Sequence, residues 1–172
     1  VIIDWGGVVK LMDFGIAKAL SMSTPDESEV LMGKWPYMSP EQASLSMIDV
    51  DTRSDVYSLG VLLYELLAGG PPFDPKSLRS AGFDEMRRII REVEPAAPSV
   101  RLSGERTASD TDDLKSEDDR DQRQRKVRGE LDWSVQRAMA KERDRRYSSA
   151  SEFDDDLERY LNGDAVRAGP AG

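Results

Sequence analysis

Hydrophobic positions along the chain change their spacing several times, and each change predicts an element. Val1–Ile3 and Val8–Met12 are short apolar runs that read as two strands, joined through Asp4-Trp5-Gly6-Gly7. A Gly-Gly pair between such runs supplies the positive φ of a tight hairpin turn. Residues 16–38 then lose all periodicity, with Ser, Met and Lys prominent and Pro25, Gly33 and Pro36 interrupting. That predicts a long loop, and loops of this length are usually functional or disordered.

The strongest helical signal is TRSDVYSLGVLLYELLAGGPPF, Thr52 to Phe73. Thr52-x-x-Asp55 has the form of a capping box, and Gly69-Gly70-Pro71-Pro72 stops the helix. Val56, Leu59, Val61, Leu62, Leu63, Leu66 and Leu67 cover most of its circumference, so it is expected to be buried on most sides. Phe83–Glu94 is an ordinary amphipathic helix ended by Pro95. From about 95 to 129 aromatics vanish and mixed charges dominate, which predicts a flexible insert unable to offset its ordering entropy. Periodicity returns with ELDWSVQRAMAKE, where Leu131, Trp133, Val135 and Met139 form an apolar face. In the last helix Ser149-x-x-Glu152 is the cap, Phe153, Leu157, Tyr160 and Leu161 the buried stripe and Gly163 the stop. Residues 164–172 read as a linker-like tail.

Composition narrows the function classes. The 172 residues suffice for one domain with a sizeable core. A net charge of -9 argues against nucleic-acid binding, which calls for a basic face. With no cysteine there is neither a disulfide framework nor a thiolate zinc site, and the lack of histidine removes a Ser-His-Asp triad or any histidine base from these residues. No apolar run is long enough to span a bilayer.

One acid stands where chemistry is expected. Asp13 follows the strand Val8–Met12 directly and precedes Phe14 and Gly15. A carboxylate at a strand end ahead of a loop suits a hard cation such as Mg²⁺. An ordinary Asp-x-Gly turn accounts for the same three residues.

Order and spacing of several motifs add to this. DFGIAKAL, PYMSPEQAS, DTRSDVYSLGVLLYELLAGGPPF and KERDRRYSSASEF together closely resemble the C-terminal lobe of bacterial Ser/Thr protein kinases of the eukaryotic-like type. The resemblance implies a mainly α fold: a protein-kinase-like C-terminal lobe with a short β-hairpin and no N-terminal lobe, over residues 1–163. It also implies ATP and Mg²⁺ as cofactors and a protein as substrate. Asp13 would hold Mg²⁺ against the ATP phosphates, Phe14 would pack into the spine linking the lobes, and Gly15 would let the segment swing. Residues 16–38 would be the activation loop, with Ser21, Ser23, Thr24 and Ser28 as candidate phosphorylation sites. Glu41 would pair with Arg146 to close that segment. Asp55 would hydrogen-bond the catalytic-loop backbone, and Leu62 and Leu66 would support the spine.

The departures carry equal weight. The family's histidine-arginine-aspartate loop, Gly-rich loop and strand lysine are not in these residues, so the expectation is a C-terminal portion of a longer kinase, inactive alone. Where the family has Gly-Thr-Pro-x-Tyr, this chain has GKWPY, with Lys34 in the threonine position on the substrate floor. A lysine cannot accept a hydrogen bond there and brings a positive charge near the base. The alternatives are a non-catalytic kinase-like binding module and an inactive truncated remnant. A cytoplasmic kinase portion is expected, and similar bacterial kinases often continue past the last helix into a membrane segment.

Overall fold

The computed structural model describes residues 2–3, 6, 9–10, 35–44, 50–103 and 117–170. The chain divides into two units, Val1–Gly33 and Lys34–Gly172. In the first, β1 (Ile2–Ile3) pairs antiparallel with β2 (Val9–Lys10), with Ile2 opposite Lys10 and Ile3 opposite Val9. The hairpin is thus present, but residues 4–8 lie between the paired positions, a longer connection than a two-residue Gly-Gly turn.

The second unit is helical. A 3-10 turn at Trp35–Tyr37 leads into α1 (Pro40–Ala43), followed by α2 (Arg53–Ala68), α3 (Pro75–Ser80) and α4 (Phe83–Glu92). Then come α5 (Pro98–Ser103), α6 (Glu117–Val127), α7 (Glu130–Ala138), a 3-10 turn at Arg143–Arg145, and α8 (Ala150–Asn162). The post of the unit is α2, which buries Val56, Tyr57, Val61 and Tyr64 against α7 and α8. One cluster joins Val56 to Ala138, Tyr147, Phe153 and Ala168; the other joins Tyr57, Val61 and Tyr64 to Val135 and Met139. Gly60 is what lets α2 and α7 approach: a Cβ there would lie 2.8 Å from Ala138 Cβ and 2.9 Å from Met139 Cγ. Among the described residues no helix is long and apolar enough to cross a membrane.

Several local expectations need correction. The Thr52-x-x-Asp55 box does not form, because Thr52 is already helical (φ -61°, ψ -18°) and its hydroxyl makes no capping bond. An N-cap needs an extended backbone to turn its oxygen onto the helix. Asp51 Oδ1 takes the Arg53 N–H instead, at 2.8 Å. The expectation that α2 is buried on most sides holds, since of its residues only Asp55 and Leu66 are exposed, Leu66 at 70%. In α8, Ser149 caps Glu152 N–H and Gly163 ends the helix at φ 79°, but Leu161 points outward.

The charged stretch at 95–129 is ordered at both ends. Pro98 and Ser99 are buried at the start of α5, where the Asp132 carboxylate accepts from Ser99 N–H (3.0 Å) and Oγ–H (2.5 Å). At the other end Val127 is buried, and Tyr160 Oη–H donates to Lys126 O at 2.9 Å. The tail is also tied down. Asp156, fully buried, accepts from Tyr147 Oη–H (2.7 Å) and from the N–H groups of Arg167 (2.5 Å) and Ala168 (3.0 Å). Residues 165–168 therefore belong to the folded lobe.

Candidate functional site

The segment from Trp35 to Ser44 carries the best-defined polar site among the described residues. Ser39 N-caps α1: its Oγ accepts from Gln42 N–H at 3.4 Å while Gln42 Oε1 accepts from Ser39 N–H at 3.0 Å. Both bonds of a capping box are made, with Pro40 preset for the first helical position. So short a helix is marginal alone and holds its place through side-chain anchors.

The central anchor is Arg146. Its side chain is fully buried and its five N–H groups are all used. Nη1 donates to Glu41 Oε1 (2.7 Å) and Arg53 O (3.1 Å), and Nη2 to Glu41 Oε2 (2.8 Å) and Lys141 O (3.1 Å). Nε donates to Ala140 O at 2.7 Å. The plane also lies 5.1 Å from the Tyr57 ring centre. Ser54 Oγ–H adds a 2.6 Å bond to Glu41 Oε1. Burial pushes the Glu41 carboxyl up, but hydrogen bonds from Arg146, Ser54 and its own backbone outweigh it and hold it below its ordinary value.

Other contacts fix the rest of the segment. Arg87 Nε donates to Ala43 O at 2.6 Å, meeting the C-terminal carbonyls of α1. Ser58 Oγ–H bonds Tyr37 O at 2.8 Å, and Tyr37 Oη–H bonds Glu65. Burial first, then Glu65, pushes the Tyr37 phenol up to about 12, so it stays a donor at neutral pH. Trp35 is buried and meets Phe83 edge-on at 5.3 Å and 89°. The indole thus gives the departure from the Gly-Thr-Pro pattern a packing role against α4.

Of the residues singled out by sequence, the structure brings Glu41 and Arg146 together. Asp55 is exposed in the first turn of α2. Asp13, Phe14, Gly15, Ser21, Ser23, Thr24, Ser28 and Lys34 lie outside the described residues. Among the described residues no cluster of three or more His, Cys, Asp or Glu forms a metal site. Sequence reasoning missed Ser54, Arg87 and the Ser39 cap. The S-x-x-Q spacing of Ser39 and Gln42 was the signal for the last; nothing in the sequence marks the other two.

This geometry can be set beside known proteins. The protein kinase domain profile matches residues 1–153. The chain belongs to the protein kinase family. It is similar to bacterial Ser/Thr kinases: 34% identical over 165 residues to the probable serine/threonine-protein kinase PknB of Bifidobacterium longum, covering 95% of this chain and 20% of that protein. PknB of Mycobacterium tuberculosis is 35% identical over 170 residues, covering 98% of the chain and 22% of the relative. A probable serine/threonine-protein kinase of Streptomyces coelicolor is 36% identical over 170 residues, with 98% and 21% covered. The chain therefore spans about a fifth of the length of these kinases. Its mainly helical second unit agrees with a kinase C-terminal lobe. Kinases of this family use ATP and Mg²⁺ in general, transferring phosphoryl groups by positioning and charge neutralisation.

Proposed function

We propose that this chain is the C-terminal part of a Ser/Thr protein kinase domain, in which residues 35–44 are the floor on which a protein substrate lies. The observation that carries the reading is the Arg146 clamp on Glu41. It joins the 35–44 segment to the start of α2 and to the 140–146 loop through one buried guanidinium. Such a segment is held firmly at its C-terminal end, as presentation of a substrate hydroxyl requires.

In this reading Asp13 holds Mg²⁺ and with it the ATP phosphates, and phosphorylation at Ser21, Ser23, Thr24 or Ser28 orders the activation loop. The bound metal would neutralise charge on the transferring phosphoryl group. Tyr37 and Trp35 keep the floor in register with α2 and α4, and Ser39 caps the helix within it. Kinases of this family take the substrate proton on a catalytic-loop aspartate, and no His-Arg-Asp loop lies within these 172 residues. The kinase portion is cytoplasmic, where ATP and protein substrates are at hand. Lys34 favours a second reading, a kinase-like module that binds partners without catalysis.

A chimera tests both. The N-terminal lobe and catalytic loop of mycobacterial PknB are joined ahead of Val1, and phosphate transfer from Mg-ATP to a generic protein substrate is followed. Turnover that disappears with Asp13→Asn is the expected result. Turnover only after Lys34→Thr selects the binding-module reading, and a folded chimera inactive with either residue overturns the kinase reading.

A further inference from the structure

Residues 165–168 lie as a strap beside α7 and α8, and its ties converge on one side chain. The Asp156 carboxylate, fully buried, accepts from Arg167 N–H at 2.5 Å, Ala168 N–H at 3.0 Å and Tyr147 Oη–H at 2.7 Å. Arg159 Nε donates to Ala165 O at 2.7 Å, and Val166 N–H to Glu130 Oε1 at 3.4 Å. Ala168 is buried in one cluster with Val56, Ala138, Tyr147 and Phe153. Past it, Gly169 and Pro170 line a cavity of about 150 Å³ together with Trp133, Arg137 and Ala140. The side chains of Ala165 and Arg167 are exposed. Few apolar contacts therefore hold the strap, as in segments that open locally while the rest of a fold stays intact.

The same contacts stand beside the Glu41–Arg146 clamp. Tyr147 follows Arg146 directly. Val56 lies in the first turn of α2, just after Arg53, whose carbonyl accepts from Arg146 Nη1, and Ser54, whose hydroxyl donates to Glu41. Ala138 precedes by two residues Ala140, whose carbonyl accepts from Arg146 Nε. Three of the four buried residues that share the Ala168 cluster thus sit within three residues of groups that hold the clamp.

We propose that residues 165–168 are a regulatory strap whose docking on Asp156 sets the Glu41–Arg146 clamp, so that drawing the strap off loosens residues 40–44. Undocking leaves Asp156 with the Tyr147 phenol alone. A buried carboxylate short of donors is costly, so Asp156 and Tyr147 move toward water together, and Tyr147 carries Arg146 with it. Loss of Ala168 also opens the packing around Val56 and Ala138, on the stretches that supply the other Arg146 acceptors. The effect on a protein substrate rests on the reading of residues 35–44 as its floor; the coupling itself does not.

The test is backbone hydrogen exchange on the whole chain. Arg167→Pro deletes one donor to Asp156 at an exposed position and leaves Asp156, Tyr147 and Ala168 in place. The Ala43 and Ser44 amides, bonded to Ser39 O at 2.9 Å and Pro40 O at 3.1 Å, should then exchange at least about fivefold faster, the lower end of typical coupling between sites. The Leu78 and Ala81 amides of α3 are the reference and should not change, which separates coupling from a general loss of stability. Linkage requires the reverse effect as well. Glu41→Gln, which weakens the clamp, should speed exchange of the Arg167 and Ala168 amides while α3 holds its rate. Ala43 and Ser44 unchanged in Arg167→Pro, or α3 rising by the same factor, overturns the proposal. So does Glu41→Gln that leaves the strap amides at their starting rate, a measurement that decides alone where Arg167→Pro fails to fold. Neither readout involves ATP, so failure here is separate from failure of the kinase reading.

Discussion

Arg146→Met keeps most of the stem of the side chain and deletes the head group that organises the 35–44 segment. The Glu41 carboxylate, 7% exposed, is then left with the Ser54 hydroxyl, and the carbonyls of Arg53, Ala140 and Lys141 lose their donor. Removing one partner of a buried pair costs about 3–5 kcal/mol, because an uncompensated charge stays behind. An exposed pair is worth about 0–1 kcal/mol. The two ranges do not overlap, so a urea titration followed by far-UV circular dichroism decides between them. Against a domain stability of about 5–15 kcal/mol the change is large. Glu41→Leu combined with Arg146→Met leaves neither charge, and should be less damaging than the sum of the single changes. The pH dependence has a definite sign. The Glu41 carboxyl is held below its ordinary value, so its stabilisation is present above an unfolded pKa of about 4.3 and is lost as pH falls through the lower folded value. That component should be missing in Arg146→Met. A loss under about 1 kcal/mol for Arg146→Met, or strict additivity in the double variant, would refute the buried-clamp reasoning.

Asp156→Asn should free residues 165–168: the Arg167 and Ala168 amides lose protection from hydrogen exchange, and stability falls by about 1.5–3 kcal/mol, the worth of bonds to a charged acceptor. The Asp156 carboxyl, pushed up by burial but held low on balance by Arg167, Tyr147 and Ala168, makes the same release occur in wild type as pH falls through its depressed folded pKa. Gly60→Ala places a methyl 2.8 Å from Ala138 Cβ, and overpacking of this kind costs about 1–3 kcal/mol in a thermal or urea melt. In the PknB chimera, Glu41→Gln should lower turnover by about 10²-fold through misplacement of the substrate floor, with ATP affinity unchanged.

The helices were legible wherever periodicity or a stop signal was strong. The α2 run, the Gly69 and Gly163 stops and the Ser149 cap all follow from local rules, since each depends on a few neighbouring residues. The failures have one cause in common. Leu66 and Leu161 are exposed on helices whose other leucines are half-buried, and only tertiary packing decides which side is covered. The 95–129 stretch reads as charged chain by composition, yet Pro98, Ser99 and Val127 anchor its ends through packing that composition does not carry. Residues 164–172 read as a linker in the sequence because Asp156, which holds Arg167 and Ala168, is one acid among three in DDD, at 154–156. The Glu41–Arg146 pair came from a family resemblance, with the partners 105 positions apart.

That separation explains how the site is assembled. The Arg146 guanidinium donates beyond its own turn: its acceptors are the Glu41 carboxylate and the carbonyls of Arg53, Ala140 and Lys141, from three stretches of chain. Each stretch has a second tie: Ala43 O to Arg87, Tyr37 to α2 through Ser58 and Glu65, and Lys141 Nζ to Ile90. Both Arg87 and Ile90 belong to α4, so the 35–44 segment and the 140–146 loop are tied to the same helix as well as to each other. A shift of α4 therefore reaches Glu41 by two routes, through Ala43 and through the Lys141 backbone that Arg146 grips. The position of α4 and the geometry of the 35–44 segment are, on this wiring, a single structural variable.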